Sequence, residues 1–426
     1  MVSIYWVLNQ QFGLSPAELA LYYTSIFIPW NFRALYGLCS DLIPVMGFRR
    51  VFYICFFNLL MGSCYLLYGL VVSDEHEAFA VGITMNVFFA FAEAVLDAAV
   101  VEKIRASTER TSDQFNRSTM SCDVQSASMT FRTLGSLISF LTAGGLSRFF
   151  EPRTILAMSA MFPFTSALIT ACFRDSIEAR PQADQGIIVF EKTSQFLSYI
   201  RRCVSEKRWP EEIFRTIKPV LVPSVFILLY ASCPSSNVVF GSYLYSLNLF
   251  DQFQFHIITL CGMIGGLVGT VVYWWLFRRV EDTRKIFVVS VIFSILAASS
   301  RLLIVYFWKQ FAFICLDETV VNMAARFTLM PVQVYASIAA ATPEHMMYEG
   351  FVFGFFASIE NWAGTISGLI SSEMASKLDV TSMILSCAGL SILPLLALSL
   401  LRHGQTHTSS VNQDPKKPLQ SSELIT

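Results

Sequence analysis

The sequence is poor in charged residues. Asp, Glu, Lys and Arg make up only 14% of its 426 residues, whereas they make up about a quarter of a soluble domain. The net charge is −1, which gives no electrostatic attraction for a nucleic acid. The low charge therefore argues against an ordinary soluble protein and against a nucleic-acid partner.

Residues that hold metals or perform catalysis are also scarce. The chain has five His and ten Cys, and the Cys residues are scattered singly through apolar runs. No pair has the spacing of a zinc, redox or disulfide site, so we expect buried free thiols, no metal and no cofactor. The sequence contains no nucleophile–base pair and no glycine-rich phosphate loop. An enzyme is therefore not expected; a membrane-embedded enzyme or a non-transporting receptor is the least supported alternative.

What the chain has in abundance is apolar residues. They make up 54% of it, with 38 Phe and a mean hydropathy of +0.55. Runs of about 20 apolar residues can each cross a hydrocarbon core of about 30 Å. The sequence predicts an all-α polytopic membrane protein with eleven full transmembrane helices, the sixth bent near Pro234. We place them near residues 16–39, 51–72, 78–101, 118–143, 153–173, 218–247, 253–276, 285–307, 312–341, 348–372 and 380–401.

Basic residues predict the orientation. With the loop 41–50 placed in the cytoplasm, most Lys and Arg outside the spans fall on the cytoplasmic side. The residues on the other side are Arg148, Arg153, Lys309 and Lys377. Because cytoplasmic loops carry the excess of Lys and Arg, this orientation is the favoured one.

The first span is expected to be incomplete. Residues 1–12 are largely apolar but cover roughly 18 Å as a helix, which is too short to cross the membrane. We therefore expect that this chain lacks the front of its first span. A stub helix ending near residues 10–12 would then precede the eleven full spans.

The polar stretches divide the chain into four parts. Residues 1–173 form an N-terminal helical bundle, and residues 218–402 form a C-terminal bundle of six helices. Residues 174–217 are a cytoplasmic linker in which apolar and basic residues at near-helical spacing predict an amphipathic helix. Residues 403–426 are predicted to be a disordered cytoplasmic tail.

Several motifs, read together in order, resemble those of a known family. The loop Tyr36-Gly-Leu-Cys-Ser-Asp41 with Gly47-Phe-Arg-Arg50 resembles the signature of the major facilitator superfamily. More specifically, the chain resembles the folate–biopterin transporter family over about residues 1–400. The motifs are Leu14-Ser-Pro-Ala-Glu-Leu19, Pro29-Trp-Asn-Phe-Arg33, Glu93-Ala-Val-Leu-Asp97, Arg132-Thr-Leu-Gly135, Pro234-Ser-Ser, Met330-Pro331, Pro343-Glu344 and Ser358-x-x-Asn361.

The resemblance implies a two-bundle major-facilitator fold. It also implies secondary active transport of folate or a related pteridine such as biopterin, with proton coupling by analogy. The substrate would be a small molecule and the protein a monomer in the plasma membrane or an organelle membrane. Another organic solute, such as S-adenosylmethionine, is the alternative, because five intramembrane carboxylates against four arginines permit a cationic substrate.

Polar residues inside the spans are the candidates for the transport pathway, because charges there are costly and mark function. Asn86, Glu93 and Asp97 share one helical face, and further polar stripes follow in the spans that carry Arg132, Arg326 and Asn361. The predicted substrate-binding residues are Arg132, Glu93, Arg326, Asn322, Gln125 and Asn361.

The predicted coupling or gating residues are Asp97, Glu318, Asp317, Asp41, Arg49 and Arg50. Asp41, Arg49 and Arg50 are expected to latch the two bundles together in the outward-facing state. Arg132 and Arg326 could contact substrate or be held in structural ion pairs. Glu93 could bind a proton or a cationic group, or form a fixed charge pair.

Three other charged residues lie inside the spans. Arg33 and Arg301 are expected to extend toward the membrane interface. Glu360 faces away from the polar stripe of its helix, and the sequence gives it no role.

Overall fold

The structure is a computed structural model. It describes residues 8, 12, 22, 25–108, 114–147, 149–178, 209–247, 249–250, 252–280, 282–341 and 349–398. The regular elements in these ranges are helical, and one antiparallel bridge joins Val45 to Phe48 in a loop. The predicted all-α fold is confirmed.

The helices follow the predicted apolar runs. After a 3₁₀ helix at Ile28–Phe32, the α-helices in chain order are α1 Arg33–Leu42, α2 Val51–Leu70, α3 Glu75–Thr108, α4 Gln114–Leu146, α5 Pro152–Ser159, α6 Met161–Cys172, α7 Arg174–Ile177, α8 Trp209–Ala231, α9 Asn237–Ser246, α10 Gln252–Phe277, α11 Thr283–Tyr306, α12 Phe311–Ala340, α13 Glu349–Ala375, α14 Val380–Leu390 and α15 Leu393–Leu396.

Two predicted spans are interrupted at proline. Pro29 lies in the 3₁₀ helix ahead of α1, and Pro234 lies in the irregular stretch between α8 and α9. Proline has no backbone N–H and its ring clashes with the preceding turn, so a helix breaks or kinks there. The predicted bend near Pro234 is confirmed as a break from Ser232 to Ser236.

Two helices are longer than the membrane is thick. α3 has 34 residues and α4 has 33, so each covers about 50 Å. The surplus turns carry the end of α3 past the hydrocarbon core. Charged residues of α3 therefore reach the loop at 43–50.

The helices pack mainly within two groups. In the first half (described residues 25–178), α2 packs on α3, α5 and α6. In the second half (described residues 209–398), α12 packs on α10, α11 and α13. The main contacts between the halves join α1 and α3 to α13, and α4 to α10 and α12.

The outer faces of the helices are apolar and exposed. Trp275, Phe131 and Leu296 are 73%, 71% and 63% exposed, as expected for side chains that contact lipid. By length and composition, five helical segments within the described ranges can cross a membrane: Val51–Leu70, Glu75–Ser107, Pro152–Cys172, Phe253–Phe277 and Thr283–Tyr306. The other predicted spans are broken or carry charged residues, and the total of eleven stays a prediction.

Parts of the predicted organisation lie outside the described residues. These are the amphipathic linker helix, the tail, the motif from Leu14 to Leu19, Pro343-Glu344, and the stub helix apart from Leu8 and Phe12. Leu8 is buried with Tyr22, Tyr68 and Leu156 in an apolar cluster of the first half.

Candidate functional site

Four charged side chains from three helices meet in the first half. Glu93 and Asp97 lie one turn apart on α3, Arg132 comes from α4, and Arg33 begins α1. The Arg132 guanidinium donates to both carboxylates, and Arg33 donates to the second oxygen of Asp97. The two positive and two negative formal charges cancel.

The four side chains differ in exposure. The side chains of Arg33 and Asp97 are 7% and 4% exposed, whereas those of Arg132 and Glu93 are 28% and 15% exposed. Removing one member of a buried ion pair costs about 3–5 kcal/mol, because the other charge is left uncompensated. The Arg33–Asp97 pair is therefore the fixed part of the cluster, and the Arg132–Glu93 pair is the accessible part.

A cavity of about 600 Å³ begins one turn beyond Arg132. Gly135, Ser136 and Ser139 of α4 line it together with Asn58 of α2 and residues of α5 and α6. A Cβ atom added to Gly135 would meet nothing within 4 Å. The polar stripe predicted in the span that carries Arg132 thus borders open space.

The proline break before α1 is stabilised by the second half. Asn361 of α13 donates to the carbonyl of Trp30 over 2.8 Å, and the Ser358 hydroxyl accepts from the amide of Ala34 over 3.0 Å. Backbone groups freed by a break inside a membrane must find such partners. The Trp30 indole also donates to Asn86 over 3.2 Å.

Arg301 does not extend to the membrane interface, and that expectation is wrong. The residue is 2% exposed, and its guanidinium nitrogens lie 3.6 Å from Asp317 and 3.9 Å from Glu318. It also donates to Asn237 over 2.6 Å at the start of α9. The carboxylates of α12 hold Arg301 inside the protein, because pairing there offsets the cost of burial.

The same expectation is wrong for Arg33. This residue is 6% exposed and pairs with Asp97, while its guanidinium lies 5.5 Å from the centre of the Trp30 ring. Arg33 is thus a member of the charged cluster, and sequence reasoning missed it.

The polar residues predicted on α12 contact two different helices, α10 and α13. Asn322 donates to Glu318 over 2.8 Å, and both lie against Gly262 of α10, just as Arg326 lies against Gly266. Arg326 is half-buried and forms no ion pair with an acidic residue in the described ranges. Gln333 instead faces α13, where it donates to Glu360 over 2.9 Å.

A second cavity, of about 470 Å³, lies within the second half. It is bordered by the break between α8 and α9 and by α11, α12, α13 and α14. Its polar lining includes Ser235, Ser294, Arg301, Thr328 and Glu360.

An ion network joins the two halves at the predicted cytoplasmic end. Asp41 lies 2.6 Å from Arg50 and accepts from the amide of Phe351 at the start of α13 over 2.8 Å. Glu349, also on α13, lies 2.7 Å from Arg105 and 3.6 Å from Arg49.

Three of these groups are almost completely withdrawn from water. Asp41 is 1% exposed, and Arg50 and Glu349 are fully buried. We call this set of six residues (Asp41, Arg49, Arg50, Glu102, Arg105 and Glu349) the inner network.

A second polar contact between the halves joins α4 to α10. Asp123 accepts from the Trp274 indole over 2.8 Å and lies 2.8 Å from Nε of Arg278. None of these residues was among the predicted site residues.

The whole chain can be compared with known proteins. The family model described as the BT1 family matches residues 1–401. The chain belongs to the BT1 family. The folate-biopterin transporter of Synechocystis is 24% identical over 439 residues, covering 98% of this chain and 81% of that protein. Folate transporter 1 of Plasmodium falciparum is 22% identical over 462 residues, covering 99% of this chain and 82% of its own.

Solved structures resemble this BT1-family chain in fold. The proton:xylose symporter XylE, of the major facilitator superfamily, matches with a TM-score of 0.64 at 12% identity, covering 93% of this chain and 90% of its own. The human organic anion transporter MFSD10 matches with a TM-score of 0.57 at 16% identity, covering 88% and 82%. The fold is that of a major facilitator, and the chain is an integral, multi-pass membrane protein of a transporter family rather than an enzyme.

The structure of this BT1-family member brings some predicted site residues together and separates others. Arg132, Glu93 and Asp97 share the first cluster, whereas Asp317 and Glu318 surround Arg301 in the second half. The remaining predicted residues lie at the inner network or at helix contacts: Asp41, Arg49, Arg50, Asn322, Arg326 and Asn361.

Gln125 is isolated from all of these groups. It is 3% exposed, and its amide nitrogen has no hydrogen-bond partner within the described ranges. No polar contact links Gln125 to the Arg132 cluster among those residues.

Proposed function

We propose that this protein is a secondary transporter that carries folate or a related pteridine by alternating access. The names of the Synechocystis and Plasmodium relatives support the substrate class. We further propose the bundle boundaries 1–173 and 218–402, joined by the linker 174–217 and followed by a tail at 403–426. In this arrangement the substrate passes between two helical bundles.

One observation carries the proposal: the two halves touch tightly at one end and part at the other. A Cβ atom on Gly37 of α1 would lie 2.1 Å from the carbonyl oxygen of Gly350 on α13, and one on Gly354 would lie 2.7 Å from that of Arg33. At the other end, Gly135 of α4 and Met263 of α10 line the first cavity from the two halves, and a Cβ atom on Gly135 would meet nothing within 4 Å.

This difference supports a state closed toward the cytoplasm and open to the other side. The inner network lies at the closed end, where Asp41, Arg49 and Arg50 act as a latch. Because the network buries charges from both halves, it must come apart as a unit when the transporter opens inward. Such bistable contacts are what an alternating-access cycle requires.

The Arg132 cluster supports a role in coupling. Arg132 is neutralised by Glu93 and Asp97 together, so an anionic substrate must compete with a carboxylate for the guanidinium fork. Protonation of Glu93, the more exposed carboxylate, would release one side of that fork for a bidentate substrate carboxylate. Proton entry and substrate binding would then favour each other. Arg326, half-buried and without an acidic neighbour in the described ranges, is the second proposed anion contact.

Transport by purified protein in liposomes tests the function. We expect uptake of labelled folate and biopterin that is faster with an inward proton gradient and absent for S-adenosylmethionine. Uptake of S-adenosylmethionine without either pteridine would contradict the substrate class. Pteridine uptake that is indifferent to the proton gradient would contradict the coupling alone.

A further inference from the structure

Glu360 is the intramembrane carboxylate that the sequence left without a role. Glu93, Asp97, Asp317 and Glu318 each form an ion pair with an arginine. Within the described ranges, no Lys, Arg or His nitrogen lies within 4 Å of the Glu360 carboxylate; Gln333 supplies its hydrogen bond, over 2.9 Å. A carboxylate in a membrane core without an adjacent cation is costly, which suggests a ligand that compensates it.

The surroundings of Glu360 form a cavity suited to a small, flat, polar ligand. Glu360 lines the second cavity, whose volume of about 470 Å³ falls within the usual 300–1,000 Å³ of ligand sites. Tyr230 contributes an aromatic side chain to the wall, and Ser294 and Thr328 contribute hydroxyl groups. Next to Glu360 along α13, a Cβ atom on Gly364 would meet open space.

The hydrogen bond from Gln333 fixes which atoms remain free. The Gln333 amide nitrogen donates to one carboxylate oxygen of Glu360. The other carboxylate oxygen and the remaining lone pairs of Glu360, which lines the cavity, are left as acceptors for a ligand that carries adjacent N–H donors. The 2-amino-4-oxopyrimidine edge of a pteridine has this arrangement, an exocyclic amino group beside a ring N–H.

Glu360 also lies close to the contact between the two halves, so a ligand bound to it would affect both. The next residue, Asn361, bonds the Trp30 carbonyl of the first half. The Arg33 guanidinium of the first half lies 5.5 Å from the centre of the Trp30 ring. A ligand on Glu360 would therefore change the charge balance beside the cluster that contains Arg132.

From these observations we propose that Glu360, oriented by Gln333, recognises the aminopyrimidine edge of the substrate inside the second cavity. This inference rests on the proposed function and adds a specificity-determining residue to it. The ring edge is thus assigned to the second half, whereas the sequence analysis considered Glu93 of the first half as a carboxylate that could bind a cationic group.

The test is a change of preference between two ligands. We would measure binding of biopterin and of a 2,4-dioxopteridine, in which an oxo group replaces the 2-amino group, to the purified full-length protein. The wild type should prefer biopterin. Glu360→Gln should weaken biopterin binding roughly 10- to 100-fold, as expected for lost charge-assisted hydrogen bonds, and should leave the dioxopteridine unchanged or tighter. The matched control is Glu373→Gln, the same change on an exposed residue of the same helix.

The outcomes separate this inference from the proposed function. A wild-type protein that neither binds nor transports a pteridine overturns the proposed function, and the inference with it. A wild-type protein that binds biopterin, with a Glu360→Gln variant of unchanged preference, overturns the inference alone. Should Glu360→Gln bind neither ligand, Glu360→Asp decides, because it keeps the charge. A retained preference for biopterin in that variant supports the proposal, and a lost preference overturns it.

Discussion

Removing the charge of Glu349 should open the cytoplasmic end of the protein. Glu349 is fully buried, and its carboxylate lies 2.7 Å from Arg105 and 3.6 Å from Arg49. Glu349→Gln keeps the shape of the side chain but leaves two guanidinium groups of the first half without this anion. The tight contact of α13 with the first half then loses its main electrostatic support.

The size of the effect follows from the burial of the three side chains. Removing one partner of a buried ion pair costs about 3–5 kcal/mol. Because the side chains of Arg105 and Arg49 retain 12% and 15% exposure, we take the lower end, about 3 kcal/mol. The penalty applies only where the contact exists, namely in the inward-closed state. The ratio of inward-open to inward-closed molecules should therefore rise about 100-fold.

Distances between spin labels at the cytoplasmic ends would measure this shift. Suitable positions are Ser107 at the end of α3 and Arg279 after α10, both exposed and in different halves. Glu349→Gln should move the distance distribution to longer values. The control Glu373→Gln, which disrupts an exposed pair with Lys377 at 2.5 Å, should not, because exposed pairs contribute only about 0–1 kcal/mol. An unchanged distribution in Glu349→Gln would refute the latch.

Three further predictions concern other contacts in the protein. Arg132→Lys should lose most folate uptake at unchanged surface expression, because Lys cannot reproduce the planar fork; normal uptake would remove Arg132 from the pathway. Gly37→Ala should prevent the cytoplasmic end from closing, because the added Cβ would lie 2.1 Å from the Gly350 oxygen. Distances between the same two spin labels that equal those of the wild type would contradict this. Arg301→Gln should lower the thermal stability of the purified protein by leaving Asp317 uncompensated in the interior, and Asp317→Asn in the same chain should restore part of it. A double variant less stable than Arg301→Gln would show that the pair is not the cause.

The lengths of the apolar runs and the positions of some prolines predicted where the helices lie and where two of them break, because these signals are local in the sequence. The hydrocarbon core fixes the length of a span, and proline often breaks or kinks a helix, although α12 continues through Pro331. Pro29 and Pro234 both lie in breaks. The sequence also placed Glu93 and Asp97 on one helical face, and it left open whether Arg132 contacts substrate or forms an ion pair.

Charge pairing between helices was harder to predict, because it depends on depth and rotation in the folded bundle. Arg301 was expected at the membrane interface, yet it pairs with Asp317. A usable signal existed: Arg301 precedes the end of α11 at Tyr306 by about the same distance as Asp317 follows the start of α12 at Phe311. A short helical hairpin places such residues at equal depth. Arg33 and Asp97 gave no comparable signal, because 64 residues separate them.

The distribution of ion pairs differs between the two halves, which suggests that the halves have different roles in transport. In the first half, Arg33 and Arg132 are balanced by Glu93 and Asp97, so that cluster can be stable without substrate. Within the described residues, Arg326 and Glu360 of the second half form no ion pair. A pteridine that carries a carboxylate and an aminopyrimidine edge could compensate both. Bound substrate would then neutralise the unpaired charges of the second half. The first half would respond by exchanging a proton or an anion at Arg132. Loading of the carrier would in this way be coupled to the ion pairs that lie next to the contact between the halves.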